Sequence, residues 1–306
     1  RATREPKTAV DERLRELAFF QLARSHFGAQ QPSFSIFYYD RVERDSATWL
    51  DAIYEESWAQ FRLGDYEKPL GNLLTLHSPF FESEYFPESR ILEAVVYYEN
   101  CRYEDADGIL RRFLSGFEPV LAKLTDMTSE ERSPSEYFEL LDGLRAPGAS
   151  VGQDAATVAQ ILELALADPD LARLDRAQEE LVKERRSWVS SAGRASAVAV
   201  EVDAILQQEL RNRREDAGRA VELRLTQERA HIKSLVQQAI RIQIETARGE
   251  QERIEARLRD VDAAPRELEK TFVEWADDEK LVWPFEGEYW RDELGTYELT
   301  LGRSCR

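Results

Sequence analysis

Three histidines, two cysteines and 59 carboxylates are the groups in this 306-residue chain whose chemistry could make a catalyst or a metal site. His26, His77 and His231 stand far apart, and none has a histidine or cysteine neighbour at metal-ligand spacing. There is no H-E-x-x-H, no phosphate-cradling G-x-x-x-x-G-K-[ST], no G-x-G-x-x-G after a strand and no G-x-S-x-G. Carboxylate pairs such as Glu55/Glu56 and Asp277/Asp278 are frequent, but in so acidic a chain they read as solvated faces. Cys101 and Cys305 make neither a zinc site nor a disulfide framework; a single bridge stays open, and Cys101 is expected to be a small packing residue at a helix turn. The chemistry left is recognition. Arg24 and Arg62 stand among aromatics, and a guanidinium pair could fix a carboxylate of an extended peptide. No enzyme, cofactor or metal is expected.

Something must hold those arginines. Residues 54–76 read as two short helices around a tight turn at Leu63, Gly64 and Asp65. Tyr54, Trp58 and Phe61 fall on one face of the first, and Leu70, Leu73 and Leu74 on the second, the spacing of amphipathic helices. So short a pair cannot bury its apolar face alone, and the pattern recurs. Ala23, Phe27, Ser35, Tyr39 and Val42 meet Ser57, Phe61, Pro69, Leu73 and Leu76 at an offset of 34. The same points meet Ala94, Tyr98, Ala106, Leu110 and Phe113 at an offset of 37, with the three extra residues placed in 78–89. Small residues recur where two helices must approach closely; large ones recur where a neighbouring unit must be covered. In the first unit Leu14, Leu17, Ala18, Leu22 and Phe27 are expected on the apolar side of one helix, and Phe34, Phe37 and Tyr38 on the next.

After Phe113 the regularity fades. Further helices are expected at 117–126, 134–144 and 155–166, with a loop at 145–153. From 171 to 262 there is no proline, and Val221, Leu225, Glu228, Ile232, Leu235, Ala239, Ile242 and Thr246 alternate at spacings of four and three. That is a coiled-coil seam with polar interruptions. Ile240, Ala247, Ile254 and Val261 form a second stripe, seven apart. A long hairpin, broken at 190–193 or at 215–218, is favoured over one rod that dimerises. The aromatic-rich end, with Phe272, Trp275, Trp283, Phe285, Tyr289, Trp290 and Tyr297, should dock as a cap on the coil or the repeats.

The expected fold is therefore all-α. It has a lead-in (1–10), a helical-repeat solenoid (11–116), a helical connector (117–170), a long coiled-coil helix or hairpin (171–262) and an aromatic C-terminal cap (263–306). Net charge is −18, yet residues 171–262 carry 18 basic and 17 acidic side chains, which leaves −19 for the rest. Such a surface repels phosphates, so nucleic acid and anionic lipid are not expected partners. No apolar run approaches the ~18 residues of a membrane span. The chain begins at Arg1 and its one methionine is Met127, so a processed or truncated start is expected.

A period of 34 with helix–turn–helix grammar resembles the tetratricopeptide repeat, TPR. Ser57, Gly64, Tyr66 and Leu73 carry the likeness in one unit, and Ala94, Tyr97, Tyr103 and Ala106 in the next. The first unit departs from it by lacking Gly-x-Tyr at its turn, and Pro69 replaces the usual alanine. Three strings, residues 57–66 (SWAQFRLGDY), 78–88 (SPFFESEYFPE) and 283–295 (WPFEGEYWRDELG), resemble TPR proteins of bacterial cell envelopes, including those associated with adventurous gliding motility. The resemblance implies a non-catalytic, periplasmic or envelope-associated scaffold that binds other proteins or extended peptides. By position it places Phe20, Arg24, Phe27, Tyr54, Trp58, Arg62 and Tyr98, with Ile91 and Val95, along a partner groove. The alternative is a coiled-coil homodimer with a structural role in a cytoplasmic complex.

Overall fold

The computed structural model describes residues 9–145, 169–191, 197–259 and 281–301, with single positions at 159, 163 and 167. Its described residues form nine α-helices and no strand. These are α1 (Ala9–Gly28), α2 (Pro32–Tyr39), α3 (Trp49–Arg62), α4 (Glu67–Leu76), α5 (Pro87–Glu99), α6 (Tyr103–Met127), α7 (Pro134–Arg145), α8 (Pro169–Ser191) and α9 (Ala197–Arg259), with a 3-10 turn at Pro79–Phe81. The chain is all-α. Two compact units divide it: residues 1–82, 86–110 and 240–306 in the first, residues 83–85 and 111–239 in the second.

In the first unit α1 packs on α2, α3 on α4, and each pair on the next through α2 with α3 and α3 or α4 with α5. The aligned positions share their burial. Ala23, Ser57 and Ala94 are fully buried in the first helices of the three pairs, and Ser35, Pro69 and Ala106 are buried in the second. The Ser35 hydroxyl donates to Ala23 O at 2.9 Å, a contact only small side chains permit. Tyr39, Leu73 and Leu110, then Val42, Leu76 and Phe113, supply the large buried groups. Pro69 fits because it lies in the first turn of α4, where no intrahelical N–H is required.

The turns repeat as well. Gln30, Gly64 and Cys101 are left-handed, at φ of 59°, 76° and 54°, and they too stand 34 and 37 residues apart. The next residue's N–H reaches back to His26, Gln60 and Tyr97 in turn, at 2.9, 3.1 and 2.9 Å, while the left-handed residue bonds Phe27, Phe61 and Tyr98. These are three Schellman closures. Only Gly64 shows itself in the sequence; a side chain at the other two tolerates an unfavourable φ. Gln30→Gly is accordingly expected to stabilise the first pair by ~1 kcal/mol, read as a higher urea midpoint.

Several expectations are corrected. Leu14, Leu17, Phe34 and Phe37 are exposed, whereas Phe19, Phe20, Ala23, Ser35 and Tyr39 are buried. The neighbouring pair covers the repeat-aligned face, not the face with most apolar residues. His26 stacks on Phe34 at 5.3 Å and Arg41 lies over Phe37 at 3.3 Å, so these rings keep cover at the surface. The helix expected at 117–126 is the end of α6, which runs unbroken through Gly116 and Pro119 and so crosses the expected repeat–connector boundary at 116. Cys101 is disulfide-bonded rather than merely a packing residue. The sequence holds one other cysteine, Cys305, which lies outside the described residues. So do residues 1–8 of the expected lead-in, the loop expected from 146 on, most of the helix expected at 155–166, Val261, Phe272 and Trp275.

In the second unit α8 runs back along the start of α9. Arg185 Nε donates to Asp203 at 2.7 Å, and Trp188 Nε1 donates to Ala199 O at 3.2 Å. α8 ends at Ser191 and α9 begins at Ala197, and the expected break at 190–193 lies mostly outside the described residues; the other candidate, at 215–218, is continuous helix. The predicted seam is buried at Val221, Leu225, Glu228, Ile232, Leu235 and Ala239. It faces the globular part of its unit. Gly218 approaches Pro134 so closely that a Cβ would stand 1.7 Å from the carbonyl oxygen, and Arg229 donates to the Thr128 hydroxyl at 2.7 Å. Glu228, a polar break in the seam, accepts from Tyr85 Oη at 2.6 Å. In the first unit the later part of α9 lies along the start of α6. Gln243 donates to Asp107 at 2.9 Å, Arg253 to Cys101 O at 2.9 Å, and Gly249 faces the Tyr103 ring.

Residues 281–301 form an extended strap on α3 and α4. Gly295 N donates to Thr75 Oγ1 at 2.8 Å, Lys68 Nζ to Gly295 O at 3.0 Å, and Leu299 N to Glu67 O at 3.0 Å. Leu301 completes a core cluster of Ile53, Leu70, Leu73, Leu76, Leu92 and Val96. Docking was expected from the aromatic side chains, but they largely engage one another: Trp283 stacks on Trp290 at 4.6 Å, and Phe285 meets Tyr289 edge-on at 5.3 Å. The residues buried deepest are Leu294, Tyr297 and Leu301.

Candidate recognition face on the first helices

Helices α1, α3 and α5 carry the side chains expected to meet a partner. Helical spacing sets Phe20, Arg24 and Phe27 along α1, and Tyr54, Trp58 and Arg62 along α3. Contacts join them in pairs. Arg24 lies over the Phe20 ring at 4.3 Å, and Arg62 over Phe27 at 4.4 Å. Trp58 Nε1 donates to Tyr54 Oη at 3.1 Å, and Trp58 meets Phe61 edge-on at 6.1 Å. Phe20 is buried with Tyr39 and Ala52, so it supports the face and does not offer itself to a ligand.

The two arginines differ. Arg24 is taken: its Nε donates to both carboxylate oxygens of Glu55, at 2.9 and 3.1 Å, and Nη2 adds a third bond at 2.5 Å. Glu55 also accepts from Tyr39 Oη at 2.6 Å. Burial, helped by that bond to a carboxylate, pushes the Tyr39 phenol far up. Hydrogen bonding to Glu55 raises Arg24 above its ordinary value. The expected solvated pair Glu55/Glu56 is corrected here: Glu55 is engaged by Arg24 and Tyr39 and Glu56 is buried, and the signal for Glu55 is its place one turn before Trp58, the position 34 residues after Arg24. Arg62 is exposed and makes no ion pair among the described residues. Of the expected pair, Arg62 alone has its guanidinium open to a carboxylate.

On α3, burial pushes the Tyr54 phenol up to about 12, so it stays protonated and can accept from Trp58 at physiological pH. On α5, Ile91 is buried and Val95 half-buried, while Tyr98 packs on Tyr103 at 5.8 Å. Burial raises the Tyr98 phenol, with Glu245 and Glu252 of α9 adding to the shift. This end of the face is acidic, and Tyr98 does not join the arginine–aromatic pairs of α1 and α3.

The histidines have local partners. His26 bonds Gln31 at 2.7 Å and stacks on Tyr38. His77 is buried, bonded to Ser89 Oγ at 2.8 Å, and burial drives it down to about 3, leaving it neutral. His231 lies 3.5 Å from Glu228. Among the described residues no three histidine, cysteine or carboxylate side chains are grouped to hold a metal, and no helix is long and apolar enough to cross a membrane. A cavity of about 400 Å³ in the second unit is lined by Lys123, Met127, Arg132, Glu136, Glu139, Leu140 and Gly143, a mixed-charge set without a nucleophile. The chain matches no protein-family model, and comparison with curated proteins and with solved structures returned no match.

Proposed function

We propose that this chain is a non-catalytic scaffold of the TPR kind, which takes an extended segment of another protein along α3. The observation that carries this reading is the threefold recurrence of one helix pair, down to its buried small residues and its left-handed closures. Stacking such pairs leaves their first helices side by side, a surface suited to an extended chain. Trp58 offers apolar area there, and Arg62, over the Phe27 ring at 4.4 Å, a guanidinium without an ion pair among the described residues. A peptide carrying a carboxylate beside an apolar residue matches both.

A different observation supports a reading of the compartment. A disulfide at Cys101 persists in oxidising surroundings, which favours a periplasmic or envelope-associated protein over a cytoplasmic one. The likeness of residues 57–66, 78–88 and 283–295 to envelope TPR proteins adds gliding motility as a candidate setting. No cofactor is called for.

The test is affinity capture from a cell-envelope extract with the wild type and with Trp58→Ala plus Arg62→Glu. Both side chains lie at least partly at the surface, so the fold should survive. Partners retained by the wild type should be lost by the variant. An unchanged partner set with an intact circular dichroism spectrum defeats the assignment.

A further inference from the structure

A row of apolar side chains on α9 is left uncovered. Ile240 is 41% exposed, Ile244 50%, Ile254 49% and Leu258 71%, and Ala247 and Gln251 between them are exposed too. Their spacings run four, three, four, three, four, so the six positions form one continuous seam about 27 Å long. The opposite side of the same helix is occupied, through Gln243, the buried Thr246, Gly249 and Arg253. α9 therefore has two faces here: one committed within the chain, the other a coiled-coil seam without a second strand.

We infer that this seam is the pairing surface of an antiparallel homodimer. Charge and size choose the occupant. With Ile244, Gln251 and Leu258 as a positions and Ile240, Ala247 and Ile254 as d, Arg248 and Glu255 are e positions and Glu250 is a g position. A parallel pair would set Glu250 against Glu255 of the partner, twice, like charge on like. An antiparallel pair centred between residues 252 and 253 does the reverse. It sets Arg248 against Glu255 of the partner, twice. The same register puts the small Ala247 opposite the large Leu258 and Gln251 opposite Ile254. Among the described residues Glu255 bonds along its own helix, with Gln251 at 2.9 Å and Arg259 at 3.0 Å, contacts of the exposed i, i+4 kind that yield readily to a better partner. A seam this short, with glutamine at one a position, gives a reversible dimer rather than an obligate one.

Sedimentation velocity of the intact chain over a concentration series is the test. The wild type should pass from monomer to dimer. Arg248→Glu and Glu255→Arg should each raise the dissociation constant about tenfold, since each reversal turns two attractions into two repulsions. The double reversal restores both pairs and should return the constant close to the wild-type value. Ile254→Glu should leave monomer only, with unchanged helicity by circular dichroism, because the side chain is at the surface. Three results overturn the inference: a wild type that stays monomeric at every concentration, a double reversal that fails to rescue, or a Glu255→Arg chain that dimerises more tightly, the signature of parallel strands. The seam is independent of the α3 face, so Trp58→Ala with Arg62→Glu should leave the dimer as it is.

Discussion

Gly71→Ala should destabilise the first unit by about 3 kcal/mol and release residues 281–301 from α4. In a free helix the same change would help by ~1 kcal/mol, because glycine is a poor helix former. Here the sign reverses. A Cβ at position 71 would stand 1.7 Å from Tyr297 O and 2.3 Å from its carbonyl carbon, backbone atoms that cannot rotate aside. The strap must lift, and with it go the bonds from Gly295 to Thr75 and from Leu299 to Glu67, and Leu301 leaves the core cluster. Urea titration gives the stability. Limited proteolysis with mass readout should show cleavage within 281–301 in the variant but not in the wild type. An alanine variant as stable and as protected as the wild type would mean that the strap does not lie on α4.

The second large effect is on pH. Glu56 is buried on α3, and burial, with repulsion from Asp40 and Asp65 outweighing attraction to Lys68, raises its carboxyl from 4.5 to about 8. A carboxyl whose folded value lies above its unfolded one contributes stability that is complete below 4.5 and is lost as pH climbs to about 8. His77 acts in the opposite direction. Burial lowers it from 6.5 to about 3, so its contribution is complete above 6.5 and is lost as pH falls toward 3. Stability should therefore peak on the acid side of neutrality, roughly between 4.5 and 6.5, where the two slopes oppose each other. Glu56→Gln removes the alkaline limb and should gain about 4 kcal/mol near pH 9, with little change near pH 4.5. Denaturant midpoints at four or five pH values decide it. A flat wild-type profile from neutral to alkaline pH would show that Glu56 ionises as freely folded as unfolded.

The all-α class and the buried small positions were legible because close packing leaves a mark that needs no partner to be read. Ala23, Ser57 and Ala94 are small because two helices cross there, and the offsets of 34 and 37 carry through to the buried positions. What escaped notice depends on a second, distant surface. Leu14 and Phe34 count toward an amphipathic face, yet the buried residues are Phe20, clustered with Ala52 of the next pair, and Ser35, bonded to Ala23 O. Gly71 and Gly218 look like weak points in helices until the backbones of Tyr297 and Pro134 arrive over them. The seam on α9 was visible as periodicity, but nothing in its spacing tells that α6 and α7 lie beneath it. On the recognition face, Arg24 and Arg62 look alike in sequence; only Glu55, reaching across from α3, separates a satisfied guanidinium from a free one.

The strap also sets an order of assembly. Gly295 and Thr75 are 220 residues apart, so during synthesis α4 emerges long before the segment that covers it. At 5–20 residues per second, roughly ten to forty seconds pass between the two. Throughout that interval the nascent second pair lacks Leu301 against Leu70, Leu73 and Leu76, an apolar opening that a holdase can cover.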